Sequence, residues 1–299
     1  MAENARPPPG RQEGYTVPLL GTGGGPGRSR VVLCFAAVLL DLFRMEGQVA
    51  VVTGASRGIG AATAAALAEC GCDLVVSARS AEALEGFAAS VRASTGRRVE
   101  TVPADLSDLA NLAGLVERAR SVFGRVDVVV NNVGGTMPRP LLDTSARYLE
   151  AAFHWNVTTA FELTKLCVPL MLEGGGGAVV NISSAVGHLS DRGYVGYGTA
   201  KAALDHLTEL MAADLAPRIR VNAVAPGSIE TDALGSVLSD EMRATMTSMT
   251  PLRRLGRVDD IAAAVVYLAS DAGSFLTGKV IEVDGGLTAP NLPLGLPDL

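Results

Sequence analysis

An α/β fold with a seven-stranded parallel sheet and helices on both faces follows from three features of the sequence. Seven short β-branched runs alternate with longer alanine- and leucine-rich stretches. Most of the runs are nearly continuously apolar, as strands covered on both faces must be. A glycine-rich turn joins the first run to the first helical stretch. Such alternation makes neighbouring strands parallel and lays a helix over the sheet at each crossover. No internal repeat of about 20–50 residues interrupts the pattern, and residues 45–289 read as one domain, an ordinary size for this class.

Taken in order, the first strand is Val49–Thr53, and Thr53-Gly54-Ala55-Ser56-Arg57-Gly58-Ile59-Gly60 leads from it into a helix over 59–70. Glycine allows the tight turn and lets backbone approach a pyrophosphate closely. The helix N-terminus then offers unpaired N–H groups and partial positive charge. The second strand, 73–77, decides between cofactors. An acid at its end would hold the ribose 2′-hydroxyl of NAD. Here it runs into Arg79, with no carboxylate before Glu82. Arg79 and Arg57 together suit a 2′-phosphate, so NADP(H) is favoured and NAD(H) is the alternative. A helix over 80–94, a strand at Val99–Pro103, a helix over 107–122 and a strand at 126–130 follow.

A long helix over 145–172, a strand at 178–182 and a helix over 195–215 bring the densest chemistry. Tyr197 and Lys201 are four apart in a helix and share one face. An ammonium beside a phenol favours the phenolate and lowers its pKa from about 10, giving a general acid or base. Tyr194 is two turns from Lys201 and reads as a pocket wall. Ser184 follows the fifth strand, at the sheet edge where ligands bind in open α/β folds. The pattern closes with a strand at 220–224, a helix over 258–269 and a strand at Val280–Val283.

With these motifs in order, residues 45–288 resemble the short-chain dehydrogenase/reductase family, whose members are single-domain Rossmann folds. The resemblance rests on T-G-A-S-R-G-I-G at 53–60, Asp105-Leu106, N-N-V-G at 131–134, Asn156, Ser184, Y-x-x-x-K at 197–201, Pro226-Gly227 and Thr231. Val133 stands where the family usually has alanine. The resemblance implies that Tyr197 exchanges a proton with the substrate oxygen. It implies that Lys201 lowers the Tyr197 pKa and holds the nicotinamide ribose, that Ser184 positions the carbonyl, and that Asn156 supports a relay behind Lys201. Ser183 is the other serine available, but the family's spacing picks Ser184. Implied cofactor contacts are Gly54, Ser56, Arg57, Gly58, Ile59 and Gly60 in the turn, then Arg79, Asp105 and Leu106. Asn132, Gly134, Tyr197, Lys201, Pro226, Gly227, Ile229 and Thr231 complete them. The same region resembles 7α-hydroxysteroid dehydrogenases and 3-oxoacyl-carrier-protein reductases alike, so the substrate is read only as an apolar oxoacyl, steroid-like or other carbonyl compound. The family also implies a homotetramer (or homodimer) through 107–122, 145–172 and the last strand.

Substrate specificity is expected from 135–138, 185–194 and 228–255, where Met242, Met246 and Met249 share a helical face and suit an apolar substrate or the core. The expected activity is interconversion of a ketone and a secondary alcohol. A non-catalytic NADP-binding sensor or scaffold is the alternative, disfavoured because Tyr197 and Lys201 are both present. An epimerase or dehydratase would call for a larger domain after the last strand.

Composition excludes other classes. Lys+Arg 25 against Asp+Glu 31 gives a net charge of -6, with no basic excess for nucleic acid. No uninterrupted apolar stretch of about 18 residues reads as a membrane span. The 4 cysteines are scattered without disulfide or zinc spacing, no metal is expected, and a reducing cytoplasm is the expected setting. Residues 1–44 read as a disordered or apolar extension: proline- and glycine-rich to residue 30, then apolar from 31 to 40. That apolar run resembles a signal peptide without a cleavage site, so it reads as a lead-in packing on the domain, or as sequence upstream of a start near Val38 or Met45. The proline-rich tail 290–299 is expected to fray or to dock on a neighbouring subunit.

Overall fold

Successive strand residues point to opposite faces of a sheet, so an all-apolar strand demands a core on each side. The computed structural model describes residues 39–235, 238–292, 294 and 296. The expectations for residues 1–38 lie outside them. The strands are β1 (Val49–Thr53), β2 (Asp73–Ala78), β3 (Val99–Pro103), β4 (Val128–Asn131), β5 (Gly177–Ile182), β6 (Ile219–Pro226) and β7 (Val280–Val283). They form one parallel sheet in the order β3-β2-β1-β4-β5-β6-β7.

The helices are α1 (Gly58–Glu69), α2 (Ala81–Thr95), α3 (Leu112–Phe123), α4 (Ala146–Phe153), α5 (Thr159–Glu173), α6 (Val195–Leu215), α7 (Asp240–Met249) and α8 (Val258–Ala269). Ala50, Val52, Val76 and Val130 meet Leu67 of α1, Leu84 of α2 and Val265 of α8 on one face. Val51, Val75, Val129 and Val179 meet Leu115 of α3, Leu163 of α5 and Met211 of α6 on the other. Leu67, Leu84 and Leu115 are fully buried. Each such leucine contributes about 1.5–3 kcal/mol, so burial rather than helix propensity holds these helices to the sheet.

The differences from the sequence expectation have local causes. β4 starts at Val128, and just before it the Asp127 carboxylate accepts the Val49 N–H at 2.9 Å. The helix expected over 107–122 begins as a 3-10 turn, Leu109–Asn111, capped by the Asp108 carboxylate. The helix expected over 145–172 is divided between α4 and α5 by a π-helical turn, His154–Thr158. Such turns favour functional sites, and this one carries Asn156.

The strand order reverses between β1 and β4, so the chain leaves these two strands in opposite directions and opens a crevice at their carboxyl ends. Buried asparagines stiffen the neighbouring strand ends. Asn131 donates to Asn181 Oδ1 at 2.8 Å and to Thr164 Oγ1 at 3.0 Å, and Asn181 donates to Thr208 Oγ1 at 2.8 Å. The four side chains tie β4 and β5 to α5 and α6, and none is among the buried polar atoms left without a partner, so their bonds offset the cost of burying them.

Candidate active site

The turn after β1 is built for close backbone approach. Gly54 (φ 68) and Gly58 (φ 58) lie in the left-handed region that favours glycine. A Cβ on Gly60 would fall 2.3 Å from the Gly54 carbonyl oxygen and 2.5 Å from Asn132 Nδ2. Asn132 Nδ2 donates to the Thr53 carbonyl at 2.9 Å, while Thr53 Oγ1 accepts the Asn132 and Val133 N–H groups at 3.0 and 3.1 Å. The turn is therefore pinned to the end of β4. At the start of α1 the Arg57 side chain makes no capping bond, and the first turn holds no acid. Its N–H groups are left for an anion.

A cavity of about 750 Å³ opens over this turn. Gly54, Ser56, Arg57, Gly58, Ile59, Gly60, Arg79, Leu106, Asn132, Gly134 and Thr231 all line it. The size is within the range of small-molecule sites, and the glycine cradle with open helix N–H groups fits a dinucleotide pyrophosphate. Arg57 and Arg79 are exposed at the wall, and neither forms an ion pair among the described residues. Asp105 stands apart from the wall. Its carboxylate accepts the Ser107 N–H at 3.0 Å and hydroxyl at 2.8 Å, which holds its pKa below the usual carboxylate range. Trp155, on the π-helical turn, lines the cavity and escaped sequence reasoning because no periodic signal marks such a turn.

Tyr197, Lys201 and Ser184 meet in a second cavity, of about 640 Å³. α6 places Tyr197 and Lys201 one turn apart, with Lys201 Nζ 5.7 Å from the Tyr197 ring centre. The ammonium is buried and donates to the Ile182 carbonyl at 2.7 Å. Burial pushes the Lys201 pKa down to about 8, with Asp205 pulling it upward. Burial raises the Tyr197 pKa, and a hydrogen bond with Ser184 works against that rise. The lowering by Lys201 expected from the spacing is not among the causes acting on the phenol, which burial raises above its ordinary value. Ser183 lines the same cavity, but its hydroxyl is engaged by the Lys201 carbonyl at 3.4 Å and by Asp205. Asn156 is buried; its Oδ1 accepts the Gly135 N–H at 2.8 Å and its Nδ2 donates to the Ala152 carbonyl at 2.9 Å. A Cβ on Gly134 would lie 2.7 Å from Asn156 Oδ1 and 3.0 Å from Lys201 Nζ, so both groups converge on that glycine.

The three loops expected to set specificity all reach this second cavity, through residues such as Thr136, Leu189 and Leu234. Pro226, Gly227 and Ile229 lie along it, and Ile59, Asn132, Gly134 and Thr231 line both cavities. Tyr194 is a wall, its phenol pushed up to about 12 chiefly by burial. Met242 and Met246 line the cavity from α7, whereas Met249 is 48% exposed and lies off it. His188 is not a lining residue and sits 3.6 Å from Glu282. The tail differs most from expectation: Pro290, Asn291, Leu292 and Leu294 line the cavity of their own chain.

Known proteins resemble this chain in sequence and fold. A family model described as enoyl-(acyl carrier protein) reductase matches residues 54–288. An uncharacterized oxidoreductase of Mycobacterium tuberculosis is 58% identical over 264 residues, 88% of this chain and 100% of the relative. A 3-oxoacyl-[acyl-carrier-protein] reductase of Thermotoga maritima is 36% identical over 245 residues, 82% of this chain and 99% of that protein. The solved structure of a 7 alpha-hydroxysteroid dehydrogenase complexed with NADH and 7-oxo glycochenodeoxycholic acid superimposes with a TM-score of 0.80 at 36% identity, covering 84% of this chain and 98% of that one.

Proposed function

The chain belongs to the short-chain dehydrogenase/reductase family and is an oxidoreductase; from that premise we propose that it uses NADP(H) to interconvert a ketone and a secondary alcohol, with Tyr197 as general acid and base. One observation carries the reading. The cavity holding Tyr197, Ser184 and Lys201 shares the walls Ile59, Asn132, Gly134 and Thr231 with the cavity over the glycine turn. A carbonyl beside Tyr197 therefore lies next to whatever occupies that turn.

The nicotinamide, when bound, supplies or accepts the hydride at the carbonyl carbon. In reduction, the phenol of Tyr197 passes its proton to the carbonyl oxygen as the C–H bond forms and the C=O π-bond breaks. The raised phenol pKa keeps that proton in place near neutral pH. The Ser184 hydroxyl orients the same oxygen. Lys201 holds positive charge beneath the site and would hold the nicotinamide ribose, and Asn156 supports the proton relay behind it. In oxidation the same groups run in reverse. The turn from Gly54 to Gly60 would hold the pyrophosphate, with Leu106 and Asp105 as further contacts of the cofactor, Asp105 toward the adenine. Pro226, Gly227, Ile229 and Thr231 would border the nicotinamide end.

Arg57 and Arg79 support the choice of NADP, since two guanidinium groups that form no ion pair among the described residues stand at the cavity wall and match a 2′-phosphate. The substrate is an apolar carbonyl compound taken up from solution. Cytoplasmic location accords with free Cys70, Cys72 and Cys167, and with no described helix being long and apolar enough to cross a membrane. The assembly we propose is a homotetramer.

The test is NADPH and NADH oxidation against oxosteroids, short 3-oxoacyl thioesters, quinones and diketones. Tyr197→Phe is expected to keep NADPH binding and lose at least about a thousandfold in turnover, in the range that acid–base groups contribute. Arg79→Asp is expected to move preference toward NADH. Retained turnover in Tyr197→Phe would end the acid–base assignment, and an unchanged cofactor preference would end the role given to Arg79.

A further inference from the structure

The tail that follows β7 does something the family motifs do not anticipate. Asn291 is only 2% exposed, although it lies in a run of prolines and leucines near the end of the chain. Its Oδ1 accepts the Ser228 hydroxyl at 2.6 Å. Its Nδ2 donates to the Met246 carbonyl at 3.2 Å and to Thr250 Oγ1 at 2.9 Å. An amide with both N–H groups and its carbonyl engaged, and excluded from water, is a fixed anchor. It binds the tail to the loop after β6 and to the end of α7.

Further along, the tail reaches the loop between β5 and α6. The Leu296 carbonyl accepts Arg192 Nη1 at 3.1 Å. Leu294 and Leu296 pack so closely on the backbone of Gly193 that a Cβ there would lie 3.0 Å from a methyl of each. The tail thus bridges two loops that both border the cavity, and between its anchors Leu292 and Leu294 face that cavity with Met242 and Met246. Lys201 supplies the cavity's only charged side chain among the described lining residues, and its ammonium is held by the Ile182 carbonyl.

We propose that the C-terminal tail is a wall of the substrate site, in which Leu292 and Leu294 determine specificity by packing on the body of an uncharged apolar ketone whose carbonyl is held at Tyr197. Asn291 is the positioning residue that fixes this wall. The inference deepens the proposed reductase reading and rests on it for the identity of the carbonyl group. Burial against leucine and methionine is non-directional and grows with the apolar area covered. The wall therefore selects by size and by absence of charge.

The experiment uses the environment-sensitive ketone 6-propionyl-2-dimethylaminonaphthalene as probe. Its emission is titrated against the NADPH-saturated protein, a form ending at Ala289, Leu294→Ala and Asn291→Ala, with NADPH affinity as the fold control. Truncation is expected to weaken probe binding at least tenfold and Leu294→Ala at least threefold, with NADPH affinity unchanged within twofold. Asn291→Ala is expected to raise the KM of a turned-over ketone while kcat stays within twofold, which a general loss of structure would not do. Equal probe affinity in the truncated and full-length forms overturns the proposal, as does an absence of probe binding to the full-length protein. Tail-dependent binding without turnover of any ketone keeps the wall and removes the reductase reading. Turnover with tail-independent binding does the opposite.

Discussion

Lys201 shows how one residue's charge is set by opposing effects. It is 2% exposed, and burial pushes its pKa down to about 8, while the Asp205 carboxylate, one helical turn on, pulls it back up. Asp205 is itself raised by burial, and the groups facing it are Ser183, Lys201, His188 and Glu209. Its Oδ1 has no hydrogen-bond partner among the described residues, so it acts on Lys201 mainly through space. A carboxylate beside an ammonium makes the proton harder to remove. Asp205→Asn abolishes that pull, so the Lys201 pKa falls below its present level of about 8. The alkaline limb of kcat/KM, which reports free-enzyme groups, is then expected to move to lower pH than in the unmodified protein. A pH–rate profile of the two forms checks this, and a limb that stays in place would mean that Lys201 does not control it. The residue itself was legible in the sequence, through its spacing from Tyr197 and its place after β5. Asp205 was not, because burial and a through-space partner leave no mark on a linear pattern.

At the scale of elements, the glycine turn and α1 form one unit with β4. The Gly60 Cβ position is blocked by the Gly54 carbonyl and by Asn132 Nδ2, at 2.3 and 2.5 Å, and the first of these is backbone that cannot rotate away. Gly60→Ala is therefore expected to destabilise the fold by about 1–3 kcal/mol, the usual cost of overpacking, and to weaken NADPH binding because the turn must open. Thermal unfolding and a cofactor titration check both, and a variant with unchanged melting temperature and affinity would show that the turn is softer than its contacts imply. This turn was readable because glycine is required by geometry at fixed offsets. The strands were readable for a related reason: burial on both faces leaves continuous apolar runs, and Val49–Thr53, Val99–Pro103 and Val280–Val283 have the same ends in sequence and structure. What stayed hidden depends on contacts distant in sequence. α7 is polar over much of its surface and buries only Met246, so it gave no helical stripe beyond three methionines. The tail has no periodicity, and its place follows from Asn291 meeting Ser228 and Thr250.

At the scale of the whole molecule, the sheet order places both cavities at one edge and leaves the helices of the opposite core free to meet a second copy. β7 is an edge strand, paired on one side to β6. Beside it Phe275 is fully exposed at 103%, and on α5 Phe161, Leu166 and Leu172 are 39%, 36% and 41% exposed. A surface helix that leaves a phenylalanine and two leucines partly in water gains by covering them, at about 25 cal/mol per Å² of apolar area. A two-fold interface is self-complementary, so one patch on α5 suffices for one contact and the β7 edge with Phe275 for a second. Two such contacts close into a tetramer when their two-fold axes cross at right angles, which is the assembly proposed above. Light scattering on the purified chain is expected to return four times the monomer mass. Phe161→Arg together with Leu166→Arg is expected to split it into dimers held by the β7 contact. NADPH binding should survive the split, because neither residue lines the cofactor cavity. A monomer at micromolar concentration in the unmodified protein would overturn the assembly and leave the α5 and β7 surfaces as faces of a solitary subunit.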